Sequence, residues 1–171
     1  GAGGYIGGRL VPELLERGYR VRVMVRQYSA EQTERWPDAE VVVADALNLE
    51  QLRWVLKDVS VAYYLIHSML IGKKEFVESD FQAATNFSKV AEERGLQRII
   101  YLGALGENKL VLSNHLESRI DVARVLKDSK VPTTILQAAI IIGSGSASFE
   151  ILSGIIRNSP VYFIPYWGKT Q

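Results

Sequence analysis

Gly1-Ala2-Gly3-Gly4-Tyr5-Ile6-Gly7-Gly8 opens the chain, and its glycines at positions 1, 4 and 7 stand three apart directly ahead of a helical pattern. The spacing G-x-x-G-x-x-G has a physical purpose. One glycine allows a tight strand-to-helix turn, the next lets backbone approach a pyrophosphate with no Cβ in the way, and the third lets helix and strand pack closely. Free N–H groups and the positive end of the helix then face the phosphates. A glycine-rich turn that holds no ligand is the competing reading, and the segments that follow bear on the choice.

Over residues 5–17 the apolar Ile6, Leu10, Leu14 and Leu15 recur at helical spacing opposite Arg9, Glu13, Glu16 and Arg17, and Gly18 stops the pattern. Residues 19–26 alternate with period two and read as a strand. A short helix over residues 30–36, stopped by Pro37, leads to a β-branched run over 40–44. The pattern then repeats: a helix marked by Leu49, Leu52, Val55 and Leu56, an apolar strand over 61–66, a long helix over 75–94 closed by Gly95, and a strand over 98–102. A helix over 115–128, a strand over 133–142, one more helix and the segment 161–164 complete the series. Strands that alternate with helices through short links imply an α/β fold, a doubly wound, mostly parallel sheet in three α/β/α layers of Rossmann type. From Val61 onward the strands are expected to be apolar on both faces. The Gly143–Ser148 stretch reads as a loop at a strand end or as one that closes over a ligand.

The 171 residues have the length of one domain with a real core, since about two-thirds of the unfolded surface is buried at this size. Twenty Lys and Arg nearly balance nineteen Asp and Glu, so nothing electrostatic argues for a nucleic-acid or acidic-membrane partner. The absence of cysteine excludes disulfides and thiolate metal sites, and a cytoplasmic location is the expectation. The most apolar stretch, residues 134–143, is interrupted by Gln137 and is far short of the roughly 20 residues a membrane helix needs. Both ends read as cuts through a longer protein, with the first strand of the sheet ahead of Gly1. Trp36, Trp54 and Trp167 read equally well as core or interface, so no oligomeric state is assigned.

Cofactor choice is read at the end of the second strand of such a fold, where an acidic residue binds a ribose 2′-hydroxyl. Arg26 stands there instead. A guanidinium suits a 2′-phosphate, with Gln27, Tyr28 and Ser29 close by, so NADP(H) is favoured and NAD(H) is the alternative. A solvated strand-end arginine like Arg20 and Arg22 is the competing reading. Asp45, followed by Ala46, is placed to meet the adenine or to cap the next turn. His67 ends the fourth strand of the series, on the side where ligands sit, and reads as lining the nicotinamide pocket or as a satisfied structural histidine.

Residues 1–8, the segment Tyr63-Tyr64-Leu65-Ile66-His67-Ser68-Met69 and the segment from Ala138 to Glu150 resemble atypical short-chain dehydrogenase/reductases, in particular NmrA-like NAD(P)H-binding proteins related to an accessory subunit of respiratory complex I. The resemblance covers essentially the whole chain. It implies a strand before the first glycine and a substrate domain after Gln171, so the isolated chain is expected to melt without normal cooperativity. The dehydrogenase branch uses Tyr-x-x-x-Lys, in which lysine lowers the tyrosine pKa while tyrosine moves the proton. None of the eight tyrosines here has lysine four residues on. At the matching place lies His115-Leu116-Glu117-Ser118-Arg119, and Gly103-Ala104 replaces the serine that usually follows the fifth strand. His115 and Arg119, four apart on one helical face, stand as substitutes, histidine to protonate a carbonyl and arginine to fix ribose or phosphate. Equally, Ser113 or Asn114 caps that helix and His115 merely occupies its first turn. Three functions compete: an NADPH-dependent reductase of a quinone or other carbonyl small molecule, a non-catalytic dinucleotide-binding module, and a protein holding another nucleotide or nucleotide-sugar.

Overall fold

A computed structural model of the chain describes residues 1–67, 75–105, 114–139 and 141–158. The elements run α1 (Tyr5–Glu16), β1 (Arg22–Val25), α2 (Ala30–Arg35), β2 (Glu40–Val43), α3 (Leu49–Val55), β3 (Val61–Tyr64), α4 (Glu75–Glu93), β4 (Arg98–Ala104), α5 (Asn114–Lys127), β5 (Thr133–Ala138) and α6 (Ala147–Asn158). The expected alternation holds across the described residues. Segment 161–164 and Trp167 lie outside the described residues. No described helix is long and apolar enough to cross a membrane.

The helix ends are written in local chemistry. Gly18 takes φ +80° and Gly95 φ +68°, the left-handed geometry that ends a helix at little cost in glycine. Gly18 N–H donates to Leu15 O and Tyr19 N–H to Leu14 O, while Leu96 N–H donates to Ala91 O, so the last carbonyls of α1 and α4 find donors. Pro12 sits inside α1 and has no N–H for the carbonyl of Gly8. Arg35 of α2 supplies the donor instead, its Nη2 3.3 Å from Gly8 O. That guanidinium lies 2.3 Å from where a Cβ on residue 8 would stand, so a side chain there would push the end of Arg35 aside.

All strand pairs are parallel. β1 pairs with β2 from Arg22↔Glu40 to Val25↔Val43, and β4 pairs with β3 on one side and β5 on the other. The two ladders are separate, β1-β2 and β3-β4-β5. Val23 and Val25 pack with Val11 and Trp36, which joins β1 to α1 and α2, whereas Val42 and Ala44 pack with Val55 of α3. The largest core lies between β3, β4 and helices α3, α4 and α5, and includes Leu52, Tyr64, Phe87, Val90, Ile99, Tyr101, Val122 and Leu126. Helices therefore cover both faces, as a doubly wound sheet requires. Trp36 is core and Trp54 is exposed.

Two expectations need correction. The strand predicted over 133–142 ends at Ala138, level with the end of its partner β4 at Ala104, and Leu105 N–H closes the ladder by donating to Ala138 O. The strands from Val61 onward are not buried on both faces: Val61 and Tyr63 of β3 and Leu136 of β5 are about half exposed, because in the described structure the deep packing falls on the α3-α4-α5 side.

The chain divides into two units, Gly1–Ala138 and Ala139–Gln171. Within the second, the Gly143–Ser148 stretch is built as a helix cap. Ser146 Oγ accepts from Phe149 N–H and donates to Ile141 O at 2.8 Å, while Glu150 Oε1 accepts from Gly145 N–H.

Candidate nucleotide site

The glycine turn is tight enough to exclude side chains at two of its three glycines. A Cβ on Gly1 would fall 2.0 Å from the carbonyl oxygen of Leu65, so the turn rests on the backbone at the end of β3. A Cβ on Gly7 would fall 2.5 Å from Ala2 Cα and 2.7 Å from Gly1 O, so the first turn of α1 lies against the loop that leads into it. Gly4 is the extended N-cap, φ −76° and ψ 176°, and its N–H donates to Gly1 O at 3.1 Å. The helical ladder starts with Gly8 N–H to Gly4 O, which leaves the amides of Tyr5, Ile6 and Gly7 ahead of the first intrahelical bond. No acidic residue stands in that first turn. A cradle of backbone donors at the positive end of a helix, without a competing carboxylate, matches the chemistry of a diphosphate.

Arg26 follows β1 at its carboxyl end and is exposed. No acidic residue stands among residues 26–29, the stretch that follows the strand. Arg22 has a different use at the other end of the strand. Its Nε donates to Glu40 Oε2 at 2.7 Å and its Nη1 to the carbonyls of Val55 and Lys57, a structural clamp.

Asp45 Oδ1 accepts from Leu47 N–H at 2.9 Å, and Asn48 Oδ1 then caps α3 through Gln51 N–H. The turn-capping use of Asp45 is thus present. Ala46 is buried beneath it. Asn86 of α4 holds this loop, since its Nδ2 donates to both Ala46 O and Leu47 O while its Oδ1 accepts from Gln82. Asp45, Asn48, Gln82 and Asn86 line an open cleft there.

At the end of β3, His67 Nδ1 lies 3.2 Å from Asp80 Oδ2, and Asp80 is only 3% exposed. Ser118 Oγ of α5, itself buried, donates to the same carboxylate oxygen at 3.3 Å. Around them stand Tyr64, edge-on to Phe87 and Tyr101, and Tyr101, whose hydroxyl donates to Arg119 O. Burial, with a second contribution from the Asp80 charge, pushes the Tyr64 hydroxyl far above its usual range, and burial pushes Tyr101 up to about 12. His115 and Arg119 both lie on α5, whereas the His115 side chain and Ser113 lie outside the described residues.

Asp80, Ser118 and Asn86 were not singled out from the sequence. For Asp80 a signal existed: with Ala84, Phe87 and Ala91 it continues the buried stripe of α4 at helical spacing, and a carboxylate on such a stripe needs partners. The partners come from β3 and α5, which no local pattern connects to it.

The family model for NAD(P)H-binding proteins matches residues 1–153. No curated protein matches the sequence. Among solved structures, the chain is similar to the Bordetella bronchiseptica enzyme WbmG in complex with NAD and UDP, with TM-score 0.73, 15% identity, 84% of this chain and 52% of that one. Pen from Bacillus thuringiensis gives TM-score 0.74 and 13% identity over 92% and 54%. The UDP-glucose 4-epimerase of Thermotoga maritima with UDP-glucose gives TM-score 0.67 and 15% identity over 80% and 53%. The chain thus spans about half the length of each, and at these identities the likeness is one of fold. With the glycine cradle in place and the match running over nearly nine-tenths of its residues, the chain belongs to the NAD(P)H-binding family.

Proposed function

We propose that the protein binds NADPH in preference to NADH and serves as a reductase of a quinone or another carbonyl compound. The reading is carried by one observation: the glycine turn, closed against Leu65 and Ala2, leads into α1 with no acidic side chain in its first turn, and Arg26 rather than an acidic residue follows β1. In this reading Gly1, Gly4 and the amides of Tyr5, Ile6 and Gly7 hold the diphosphate. Arg26 meets the 2′-phosphate, with Gln27, Tyr28 and Ser29 adding hydrogen bonds. Asp45 and Ala46 border the adenine, and His67 borders the nicotinamide. The bound dinucleotide supplies the hydride, and the residues of this chain orient it and handle the proton. His115 and Arg119 are the candidates for that second task at the place of the missing Tyr-x-x-x-Lys pair.

The separate ladders β1-β2 and β3-β4-β5, together with the half-length coverage of the solved relatives, support a longer protein in which a strand ahead of Gly1 enters the sheet and a substrate region follows Gln171. A cytoplasmic location fits this reading. A non-catalytic dinucleotide-binding module is the second reading, and the lack of any Tyr-x-x-x-Lys pair favours it.

Fluorescence titration of the full-length protein with NADPH and NADH tests the proposal. NADPH is expected to bind on the order of tenfold tighter, about 1.4 kcal/mol, and Arg26→Asp is expected to reverse the order. Equal affinities in the wild type, or an unchanged preference in the variant, remove Arg26 from its role. NADPH that binds and is never oxidised by any of a panel of quinones and aldehydes turns the case toward the module.

A further inference from the structure

Two glycines of the opening octet stand outside the G-x-x-G-x-x-G spacing, Gly3 and Gly8, and both lie beside α2. Arg35 Nη2 donates to Gly8 O at 3.3 Å, and Gln32 Nε2, one turn earlier on α2, lies 3.9 Å from where a Cβ on Gly3 would stand. The helix is thus laid along the loop that carries the backbone cradle, pinned at Arg35 and presenting a carboxamide at Gln32. The two ends of that carboxamide are not equivalent. Gln32 Oε1 is shut away from solvent with no hydrogen-bond partner, and so is the indole Nε1 of Trp36, four residues on and only 1% exposed. With an indole donor on that side of the helix, the oxygen is the end that belongs inside and the NH2 the end left for the turn. Glu31 and Glu34 are exposed, and neighbours one or two residues away do not share the Gln32 face of a helix.

We propose that Gln32 is a cofactor-specificity residue, whose Nε2 donates to the dinucleotide on the adenosine side of the diphosphate and favours a 2′-phosphate there. The inference rests on the reading of the glycine turn as a dinucleotide site. Chain connectivity fixes the place. α2 follows Arg26 through Gln27, Tyr28 and Ser29, so a side chain that reaches from α2 back to Gly3 spans the gap between the cradle amides of residues 5–7 and the carboxyl end of β1. In a dinucleotide whose diphosphate sits on those amides and whose 2′ position meets Arg26, the group that bridges the gap is the adenosine ribose. The donor end of the carboxamide then sets the preference. A 2′-phosphate carries charge and acceptor oxygens alone, so an N–H aimed at it makes a charge-assisted bond about twice as strong as one to a neutral hydroxyl.

Fluorescence titration of the full-length protein with NADPH and NADH, in the wild type, Gln32→Met and Gln32→Glu, reads the change in the ratio of the two affinities. Gln32→Met removes the donor at nearly constant shape and is expected to weaken NADPH about tenfold and NADH about threefold or less. Gln32→Glu sets a carboxylate against the phosphate and is expected to move the ratio further toward NADH. A ratio unchanged in both variants, with nucleotide bound, overturns the inference while the dinucleotide site stands. A shift in Gln32→Glu alone also overturns it, since a charge acts from a distance and a lost hydrogen bond does not. Equal affinities in the wild type count against Arg26 and not against Gln32, because only the change in the ratio is read. If neither NADPH nor NADH binds, the site reading falls and takes this inference with it. A crystal structure of the wild-type protein with 2′,5′-ADP decides the contact even if a variant fails to fold. Gln32 Nε2 is expected about 3 Å from a 2′-phosphate oxygen, and a separation too long for a hydrogen bond overturns the proposal.

Discussion

Gly7 illustrates how much one hydrogen atom in place of a side chain decides here. Its missing Cβ leaves room for Ala2 Cα and Gly1 O, both under 3 Å from where it would stand. Those atoms are backbone, so they cannot swing away as a side chain would. Gly7→Ala is expected to cost about 1–3 kcal/mol of stability by overpacking. It should also weaken NADPH binding, because the turn must open to admit the methyl group and the amides of residues 5–7 move with it. Urea denaturation and fluorescence titration check both, and an alanine variant with unaltered stability and affinity would show the turn to be looser than described. The glycine spacing was legible in the sequence; the partner of Gly1, the carbonyl of Leu65, was not, since the two lie far apart along the chain. His67 was legible as a residue on the ligand side, but Asp80 read only as one more acidic residue on a long helix.

Helix α4 ties the two regions of the site together. Its buried stripe of Ala84, Phe87, Val90 and Ala91 packs under the sheet, and two polar residues on the buried side reach out to opposite ends of the site. Asp80 holds the end of β3 through His67, and Asn86 holds the loop after β2 through Ala46 and Leu47. Asn86→Ala is expected to lose two bonds from a buried amide and leave two carbonyls without that donor, a cost of about 1–3 kcal/mol in the urea midpoint. Because this loop carries Asp45, the affinity for NADPH should fall as well. Stability within a few tenths of a kcal/mol of wild type would mean that solvent replaces Asn86 at no cost. The element boundaries came through well from periodicity and stop signals, as at Gly18 and Gly95, since both depend on neighbours in sequence. The length of β5 did not, because a strand ends where its partner ends.

At the scale of the molecule, the β1-β2 and β3-β4-β5 ladders each have their own core, and Met24 packs against two of the three apolar clusters. On the proposal that another strand enters this sheet, residues 1–171 alone are expected to give a broad thermal transition of low enthalpy, and the full-length protein a sharp one. Calorimetry on both decides it, and a two-state melt of residues 1–171 with full enthalpy would contradict the proposal. The sequence by itself determined the alternation of helices and strands, the glycine turn and the loss of the Tyr-x-x-x-Lys pair, because all three are patterns within a few neighbouring residues. Only the tertiary structure decided that Asp80 meets His67 and Ser118, that Arg35 answers the carbonyl Pro12 leaves open, and that Asn86 holds the Asp45 loop. Each of these joins groups far apart along the chain, and what selects the partner is the burial of a polar atom that must be satisfied wherever the fold happens to bring a donor or acceptor.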